Sequence, residues 1–258
     1  MEIINKTILI TGASTGIGKA LGEKLLNFDC NLILTARRDE VIREWVNKIA
    51  NPKAKVLILK NDVSDKKNVG QAYLESIREF GSIDIAILNS GISRTVNTEK
   101  FSSVDAAEVM NTNYLGVIYW IEQILPTMIE RRSGIIAQVS SLVDNRGYSR
   151  SGFYCASKAA LSIFSESFAL DLIKYGVKIL TIKPGFVETP MTGNNKFKMP
   201  FIISAEKSAD FIISGIIKEK AIISFPLATS LGAKVIGMFP NWLYSKLGKS
   251  WSKPSYKD

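Results

Sequence analysis

The stretch KTILITGASTGIG, Lys6 to Gly18, decides the fold. Lys6 to Thr11 is a short apolar run with β-branched residues, which is typical of a buried strand. Three glycines follow in the spacing TGxxxGxG. Gly12 permits a tight turn, Gly16 lets the backbone approach a phosphate, and Gly18 allows the next helix to pack closely on the sheet. The pattern therefore predicts a strand, a glycine-rich turn and a helix that together bind a phosphate.

The start of this helix supplies further candidates for binding a dinucleotide. Backbone N–H groups around Ile17 would face the pyrophosphate, and the helix dipole would favour its negative charge. Ser14 and Thr15 could cap the helix or bond the phosphate directly, and Lys19 could add positive charge there. An ordinary strand-turn-helix with permissive glycines is the alternative. Three glycines in this spacing after an N-terminal strand favour nucleotide binding.

The second predicted strand, Asn31 to Ala36 (NLILTA), ends where such a fold contacts the adenosine ribose. An acidic residue at this place bonds the ribose 2′-hydroxyl and repels a 2′-phosphate, whereas arginine attracts that phosphate. Ala36 stands where the acidic residue is expected, and Arg37 and Arg38 follow it. The sequence therefore favours NADP(H) over NAD(H), with plain surface charge as the alternative for the two arginines.

The third predicted strand, Lys55 to Lys60 (KVLILK), is followed by Asp62 and Val63. A carboxylate at this strand end can accept a hydrogen bond from the adenine amino group, with Val63 against the ring. The alternative for Asp62 is an N-cap of the following helix, a position that Ser64 or Asp65 fits better. Asp62 and Val63 are therefore predicted to contact the adenine.

Alternating strands and helices predict the fold class. They alternate four times up to Leu88, which indicates a doubly wound α/β fold, a parallel sheet with helices on both faces. Ligands bind such sheets beyond the carboxyl ends of the strands. Asn89 and Gly91 follow the strand Asp84 to Leu88, and Gly91 would let the chain pass close to the cofactor ribose. The residues singled out above also lie at strand ends, and that convergence carries more weight than any one motif.

The stretch SSLVDNRGYSRSGFYCASKAA, Ser140 to Ala160, carries the chemistry. Tyr154 and Lys158 lie at i and i+4 on a predicted helix, one turn apart on one face. A phenol normally titrates near ~10, and a fixed ammonium beside it is expected to lower that pKa. The Ser141 hydroxyl could bond a carbonyl oxygen as negative charge develops. A chance pair on an amphipathic helix is the alternative for the tyrosine and the lysine.

Two further segments complete the predicted site. Asn113 lies within a helical pattern from about 102 to 131, either as a surface residue or as one that holds a water near Lys158 through its side chain or a distorted backbone carbonyl. The strand Val177 to Lys183 (VKILTIK) ends in a sharp turn. The backbone of that turn and of the residues after it could bind the nicotinamide carboxamide, and the residues concerned are Pro184, Gly185, Val187 and Thr189.

Amino-acid composition argues against several classes of protein. The 258 residues show no linker or repeat, which predicts a single domain over 1–258. Two cysteines (Cys30 and Cys155) and no histidine argue against a disulfide framework and a Cys/His metal site, so no metal is predicted and a cytoplasmic location fits best. The net charge is +9, but its lysines are scattered and no nucleic-acid motif is present, so no nucleic-acid partner is predicted. The N-terminus shows no signal peptide.

The C-terminal part is expected to hold the determinants of substrate choice. Residues 190–219 predict a mobile lid (Thr192 to Pro200) and a helix (204–218), and Ala221 to Phe225 predicts the last strand. The tail, 227–258, mixes large apolar residues with five lysines and one aspartate, and its apolar run is too short to span a bilayer. An amphipathic segment of this kind usually packs on its own domain. Alternatively, the tail could cover a lipophilic substrate pocket, lie on an anionic membrane surface, or pack against a partner subunit.

These motifs resemble, in order and spacing, the short-chain dehydrogenase/reductase superfamily in its short single-domain branch. The matching elements are TGASTGIG, the aspartate of NDV, NSG in place of the usual NAG, Asn113, Ser141, YCASK and PGFVET, which span about three quarters of the chain. The resemblance implies a Rossmann-like sheet of about seven strands. It also implies a homodimer or homotetramer formed through the helices near 102–131 and 153–175.

The same resemblance implies a role for each of four residues. Tyr154 is the acid/base, Ser141 positions the carbonyl, Lys158 binds the nicotinamide ribose and lowers the tyrosine pKa, and Asn113 supports a proton-relay water. The leading hypothesis is an NADPH-dependent carbonyl reductase or the reverse alcohol dehydrogenase, with a lipophilic or acyl substrate. The alternatives are a catalytically silent NADP(H)-binding protein and a membrane-associated protein that uses the basic tail.

Overall fold

The computed structural model describes residues 2–193 and 198–251, with side chains up to 248. Its described residues contain seven parallel strands, which form one sheet in the order β3-β2-β1-β4-β5-β6-β7. The strands are β1 (Thr7–Thr11), β2 (Asn31–Ala36), β3 (Lys55–Lys60), β4 (Ile85–Leu88), β5 (Gly134–Val139), β6 (Val177–Pro184) and β7 (Ile222–Phe225). The fold is the predicted Rossmann-like α/β fold.

Helices cover both faces of this sheet, because its strands are apolar on both sides. Ile8 and Ile10 of β1 belong to one buried cluster and Leu9 to the other. The helices are α1 (Gly16–Leu25), α2 (Asp39–Val46), α3 (Lys66–Phe80), α4 (Ser103–Met110), α5 (Gly116–Glu130), α6 (Gly152–Leu172), α7 (Pro190–Gly193), α8 (Ala205–Ile217), α9 (Leu227–Gly237) and α10 (Asn241–Trp251).

The strand order reverses between β1 and β4. β1 pairs with β2 on one side and with β4 on the other, so the connections that leave these strands diverge to opposite faces of the sheet. A crevice opens beyond the carboxyl ends at such a point. The sheet thereby brings together the glycine-rich turn after β1 and the segment that follows β4.

Two predicted helices differ in extent from those observed. The sequence predicts a helix near Asp39 to Ala50, but α2 ends at Val46, because Lys48 and Ile49 already make tighter i→i+3 hydrogen bonds to Trp45 and Val46. The pattern from 102 to 131 is two α-helices joined by a π-helical segment, Asn111–Leu115, where the backbone is wider than in an α-helix.

The C-terminal tail packs on its own domain. The Asn145 amide donates to the Ala233 carbonyl at 2.8 Å, and the Tyr244 hydroxyl donates to the Gly147 carbonyl at 2.6 Å. The Arg146 guanidinium lies 5.0 Å from the centre of the Tyr244 ring. α9 and α10 therefore hold the loop between β5 and α6. None of the described helices has the length and apolar character needed to cross a membrane.

Parts of two predicted segments lie outside the described residues. They are 194–197 of the predicted lid and 252–258 of the tail.

Candidate active site

A cavity of about 280 Å³ lies beyond the carboxyl ends of the strands. Its wall contains every predicted site residue except Gly18, Lys19 and Asn113. From the first half of the chain these are Gly12, Ser14, Thr15, Gly16, Ile17, Arg37, Arg38, Asp62, Val63, Asn89 and Gly91; from the second half they are Ser141, Tyr154, Lys158, Pro184, Gly185, Val187 and Thr189.

The glycine-rich turn forms an open cradle of backbone. Gly12 and Gly16 have φ of +70° and +58°, a conformation in which a side chain is strained. A Cβ at Gly16 would also lie 3.0 Å from the Thr189 side chain, and a Cβ at Gly18 would lie 2.3 Å from the carbonyl oxygen of Gly12. Gly18 therefore permits close packing behind the turn, as its spacing predicts, and does not line the cavity.

The N-terminus of α1 is open to the cavity. Thr15 is the N-cap residue, but its side chain makes no capping hydrogen bond, so the predicted cap is absent. The first N–H groups of a helix lack partners within the helix and attract anions. Lys19 is outside the cavity wall and pairs with Glu23 at 3.4 Å. The cradle and the helix start suit a phosphate, and this charge comes from the backbone rather than from Lys19.

Exposed arginines stand at the end of β2. Ala36 is buried, whereas Arg37 and Arg38 are exposed and line the cavity. Both guanidinium groups are therefore placed where an anion in the cavity can reach them.

Asp62 and Asn89 both lie in the cavity wall, Asp62 after β3 and Asn89 after β4. Asp62 Oδ1 accepts from the backbone N–H and hydroxyl of Ser64, at 3.0 and 2.7 Å, whereas Asp65 caps α3. Asp65 is therefore the N-cap residue, one of the two candidates considered above. The Asn89 amide donates to the carbonyls of Thr11 and Gly12, at 3.0 and 3.3 Å. This amide fixes the glycine-rich turn against the end of β4.

The cavity brings Ser141, Tyr154 and Lys158 together. Lys158 is buried, its Nζ donates to the Val139 carbonyl at 2.7 Å, and it lies 5.7 Å from the centre of the Tyr154 ring. Burial lowers the pKa of Lys158 to about 8. Burial also raises the pKa of Tyr154 to about 12, although a hydrogen bond with Ser141 lowers it.

The prediction that Lys158 lowers the tyrosine pKa is wrong for this structure. Desolvation of the phenolate outweighs the other contributions, and the lysine, itself desolvated, is not among the groups that shift the phenol. Tyr154 therefore holds its proton throughout the neutral range, which suits a proton donor.

Asn113 is fully buried in the π-helical segment, so the surface alternative is wrong. Its Oδ1 accepts from the N–H of Ile92 at 2.8 Å, and its Nδ2 donates to the Ile92 carbonyl at 2.9 Å and to Ser157 Oγ at 3.0 Å. The side chain ties the segment after β4 to α6. Because the side chain is already engaged, the backbone carbonyl of this segment is the remaining group that could hold a water.

Sequence reasoning missed several residues of the site. Thr11 Oγ1 accepts from the N–H groups of Asn89 and Ser90, at 3.0 and 3.1 Å, beneath the glycine-rich turn. A threonine at the end of a buried strand was the available signal. The cavity wall also includes Ser90, Ile92, Thr112 and Met191. No spacing marks them, because they reach the site only through the tertiary fold.

A protein-family model described as short chain dehydrogenase matches residues 6–199, which is most of the chain. The chain belongs to this family. The match covers the glycine-rich turn, the serine, the tyrosine and lysine pair, and the turn after β6. The resemblance noted in the sequence is confirmed.

Two relatives in the short chain dehydrogenase family have named activities. An NADP-dependent 3-hydroxy acid dehydrogenase of Schizosaccharomyces pombe is 30% identical over 234 residues, covering 84% of this chain and 89% of the relative. A fatty acyl-CoA reductase of Acinetobacter baylyi is 31% identical over 234 residues, covering 90% of this chain and 78% of the relative.

A solved structure of a family member has the same fold. The short chain dehydrogenase/reductase of Burkholderia phymatum in complex with NAD superposes with a TM-score of 0.84, at 20% identity, over 100% of this chain and 99% of that one. At this identity the comparison establishes the fold alone.

Proposed function

We propose that this protein is an NADPH-dependent oxidoreductase that transfers hydride between the nicotinamide and a carbonyl or secondary alcohol. The observation that carries the proposal is the position of Tyr154, Ser141 and Lys158 in the wall of the cavity that also contains the glycine-rich turn. A protein that binds NADP(H) without chemistry has no need of this group. The alternative of a catalytically silent binding protein is therefore less well supported.

The wall residues fit a dinucleotide. The cradle at Gly12 and Gly16 and the open start of α1 would hold the pyrophosphate, and Asp62 and Val63 would contact the adenine. The backbone after Gly185 would bind the carboxamide. When bound, the reduced nicotinamide supplies the hydride.

The chain's own residues would move the proton. Tyr154 donates its hydroxyl proton to the substrate carbonyl oxygen, since a phenol with a pKa of about 12 is fully protonated at neutral pH. Ser141 bonds the same oxygen as negative charge develops on it. The Lys158 ammonium, held against the Val139 carbonyl, would bind the nicotinamide ribose. Burial of the phenol favours reduction over oxidation, because oxidation starts from the phenolate.

Arg37 and Arg38 support the NADP preference. Both line the cavity beside the end of β2, and the buried Ala36 replaces the acidic residue that would repel a 2′-phosphate. The relative from S. pombe is named as NADP-dependent. A guanidinium group can bond that phosphate at two oxygens, which a ribose hydroxyl does not offer.

Arg37→Asp is expected to reverse this preference. The carboxylate repels the 2′-phosphate and can bond the ribose 2′-hydroxyl, so the ratio of kcat/KM for NADPH over that for NADH should fall at least about a hundredfold. Steady-state kinetics with both cofactors measure this ratio. Arg43→Asp, on the exposed part of α2, serves as the control. An unchanged ratio would exclude Arg37 from cofactor selection.

We also propose a lipophilic or acyl substrate. Ile92 and Met191 are apolar residues in the cavity wall, and Met191 is 46% exposed. The relative from A. baylyi is named for a fatty acyl substrate. The test is NADPH oxidation with aldehydes and ketones graded in chain length. The proposal expects kcat/KM to rise with chain length, and no oxidation of NADPH by any of them would refute the enzyme assignment.

The outer face of the tail favours peripheral contact with an anionic membrane. Leu227, Leu231 and Val235 form one stripe along α9 and are 72%, 53% and 55% exposed. Met238, just after the end of α9, is 83% exposed, and Trp242 of α10 is 69% exposed. The tail, 227–258, contains five lysines, one aspartate and no glutamate. Apolar residues beside lysines suit the boundary of a bilayer that carries negative lipids.

The triple variant Leu231→Gln, Met238→Gln, Trp242→Gln is expected to lose this contact. Flotation with vesicles containing phosphatidylserine should recover the wild type and leave the variant at the bottom. Leu74→Gln, which changes a 62% exposed leucine on α3, is the matched control. Failure of the wild type to float, or equal flotation of the triple variant, would refute the membrane contact.

We further propose a homodimer or homotetramer in the cytoplasm. Val104 on α4 and Ile163 and Leu170 on α6 are 75%, 67% and 70% exposed, which suits burial against a second copy of these helices. Cys30 and Cys155 are free thiols, as expected in a reducing compartment.

A further inference from the structure

A largely buried ion pair joins Asp144, in the loop after β5, to Lys183 on β6. Lys183 Nζ lies 2.7 Å from Asp144 Oδ2, and 5% of the Asp144 side chain and 23% of the Lys183 side chain are exposed. The chemistry proposed above uses neither residue. Burying an ion pair costs much of what its attraction returns, so stability alone explains it poorly.

Hydrogen bonds connect this pair to α6. Asp144 Oδ2 accepts from the Ser162 hydroxyl at 2.5 Å. Ser140 Oγ lies 2.8 Å from Ser162 Oγ and 3.1 Å from the carbonyl oxygen of Lys158, and its single proton can be donated to either of them. Through these contacts, the carboxylate joins β6, which carries Lys183, to the helical turn that carries Lys158.

The same carboxylate belongs to the turn that carries Ser141. The backbone N–H of Asp144 donates to the Ser141 carbonyl at 3.3 Å, and the N–H of Leu142 donates to the Pro184 carbonyl at 3.1 Å. Lys183 and Ser162 hold the Asp144 side chain. The turn is therefore fixed at Asp144 as well as at Leu142.

We propose that Asp144 and Lys183 are positioning residues, which hold the Ser141 hydroxyl and the Lys158 turn in register for proton transfer at Tyr154. This inference rests on the proposed reductase function. The pair touches none of the reacting groups and acts through the Ser141 turn and through Ser162. Small displacements of groups that orient a reaction reduce its rate strongly.

The test uses the double variant Asp144→Ala, Lys183→Met. It removes both charges, so that no unpaired charge remains buried. We expect kcat to fall at least about tenfold while the KM for NADPH stays within about twofold, because the cofactor cradle is untouched. A variant that was only less stable would keep its kcat when assayed well below its melting temperature. A kcat within twofold of the wild type would overturn the proposal.

Two further variants keep the test decisive. Ser162→Ala retains the ion pair and breaks its link to α6, so a smaller fall in kcat is expected even if the double variant does not fold. An unchanged kcat in a folded Ser162→Ala would also count against the proposal. Lys66→Met, Glu122→Gln removes a surface pair with a 2.8 Å separation, joining α3 to α5, and should leave kcat unchanged.

Hydrogen–deuterium exchange separates this inference from the proposed function. Backbone amides of residues 140–144 should exchange faster in the Asp144→Ala, Lys183→Met variant than in the wild type, and equally in the surface control. This measurement needs no turnover. If the wild type reduced no carbonyl, the proposed function would fail, and unchanged exchange would still refute the positioning of the turn.

Discussion

We expect Tyr154→Phe to abolish turnover and to leave NADPH binding largely intact. The substitution removes the hydroxyl that donates the proton, and general acid catalysis of this kind is worth about 10²- to 10⁴-fold in rate. We expect kcat to fall at least about a thousandfold, within the upper part of that range. The glycine-rich cradle and the end of β2 are unchanged, so NADPH fluorescence titration should give a similar Kd.

Tyr175→Phe is the matched control for this substitution. Tyr175 lies just beyond the end of α6, where its ring contacts Lys174, and phenylalanine retains that contact. Its kcat should equal that of the wild type. A Tyr154→Phe enzyme with more than about a tenth of wild-type kcat would refute the role of this hydroxyl as the proton donor.

We expect Lys158→Met to inactivate the protein and to make it more stable at pH 7. Burial lowers the pKa of this lysine from 10.5 to about 8, so the folded chain carries a desolvated charge at neutral pH. Burying this charge lowers the free energy of unfolding by about 3 kcal/mol. Loss of the hydrogen bond to the Val139 carbonyl reduces the gain expected from its removal by about 1 kcal/mol. We therefore expect the free energy of unfolding to rise by about 2 kcal/mol at pH 7.

The stability advantage of Lys158→Met over the wild type should fall as pH rises. Below about pH 8 both the folded and the unfolded wild type hold the lysine proton, and the cost of burying the charge is fully present. Between pH 8 and 10.5 the unfolded chain binds the proton that the folded chain has lost, so the wild type gains stability as pH rises. Lys158→Met has no amine to titrate, and its advantage should shrink across this window.

Urea unfolding at pH 7 and pH 9.5 measures the effect on Lys158→Met. Lys48→Met changes an exposed lysine and is the control, with a difference from wild type that should be the same at both pH values. A destabilised Lys158→Met protein at pH 7, or a difference independent of pH, would contradict the buried charge. Loss of activity together with a gain in stability is characteristic of a strained functional residue.

Local patterns were sufficient to predict the fold. An apolar run before TGASTGIG and the alternation of strands with helices predict a parallel sheet. Short buried strands and helices each have a hydrophobic pattern that is recognised within a few residues. The sequence pattern did not predict the π-helical interruption at Asn111–Leu115. The burial of Asn113 depends on Ile92 and Ser157, residues distant in the chain.

The amino-acid sequence by itself determined the family, the sheet and most of the residues that surround the cavity, because each of these follows from motifs whose spacing is local. Only the tertiary structure decided how those residues behave. Burial keeps the Tyr154 phenol protonated and lowers the pKa of Lys158, against the expectation from their spacing alone. The fold also sets Asp144 against Lys183, 39 residues away, because desolvation and long-range contact arise only when β5, α6 and β6 pack together.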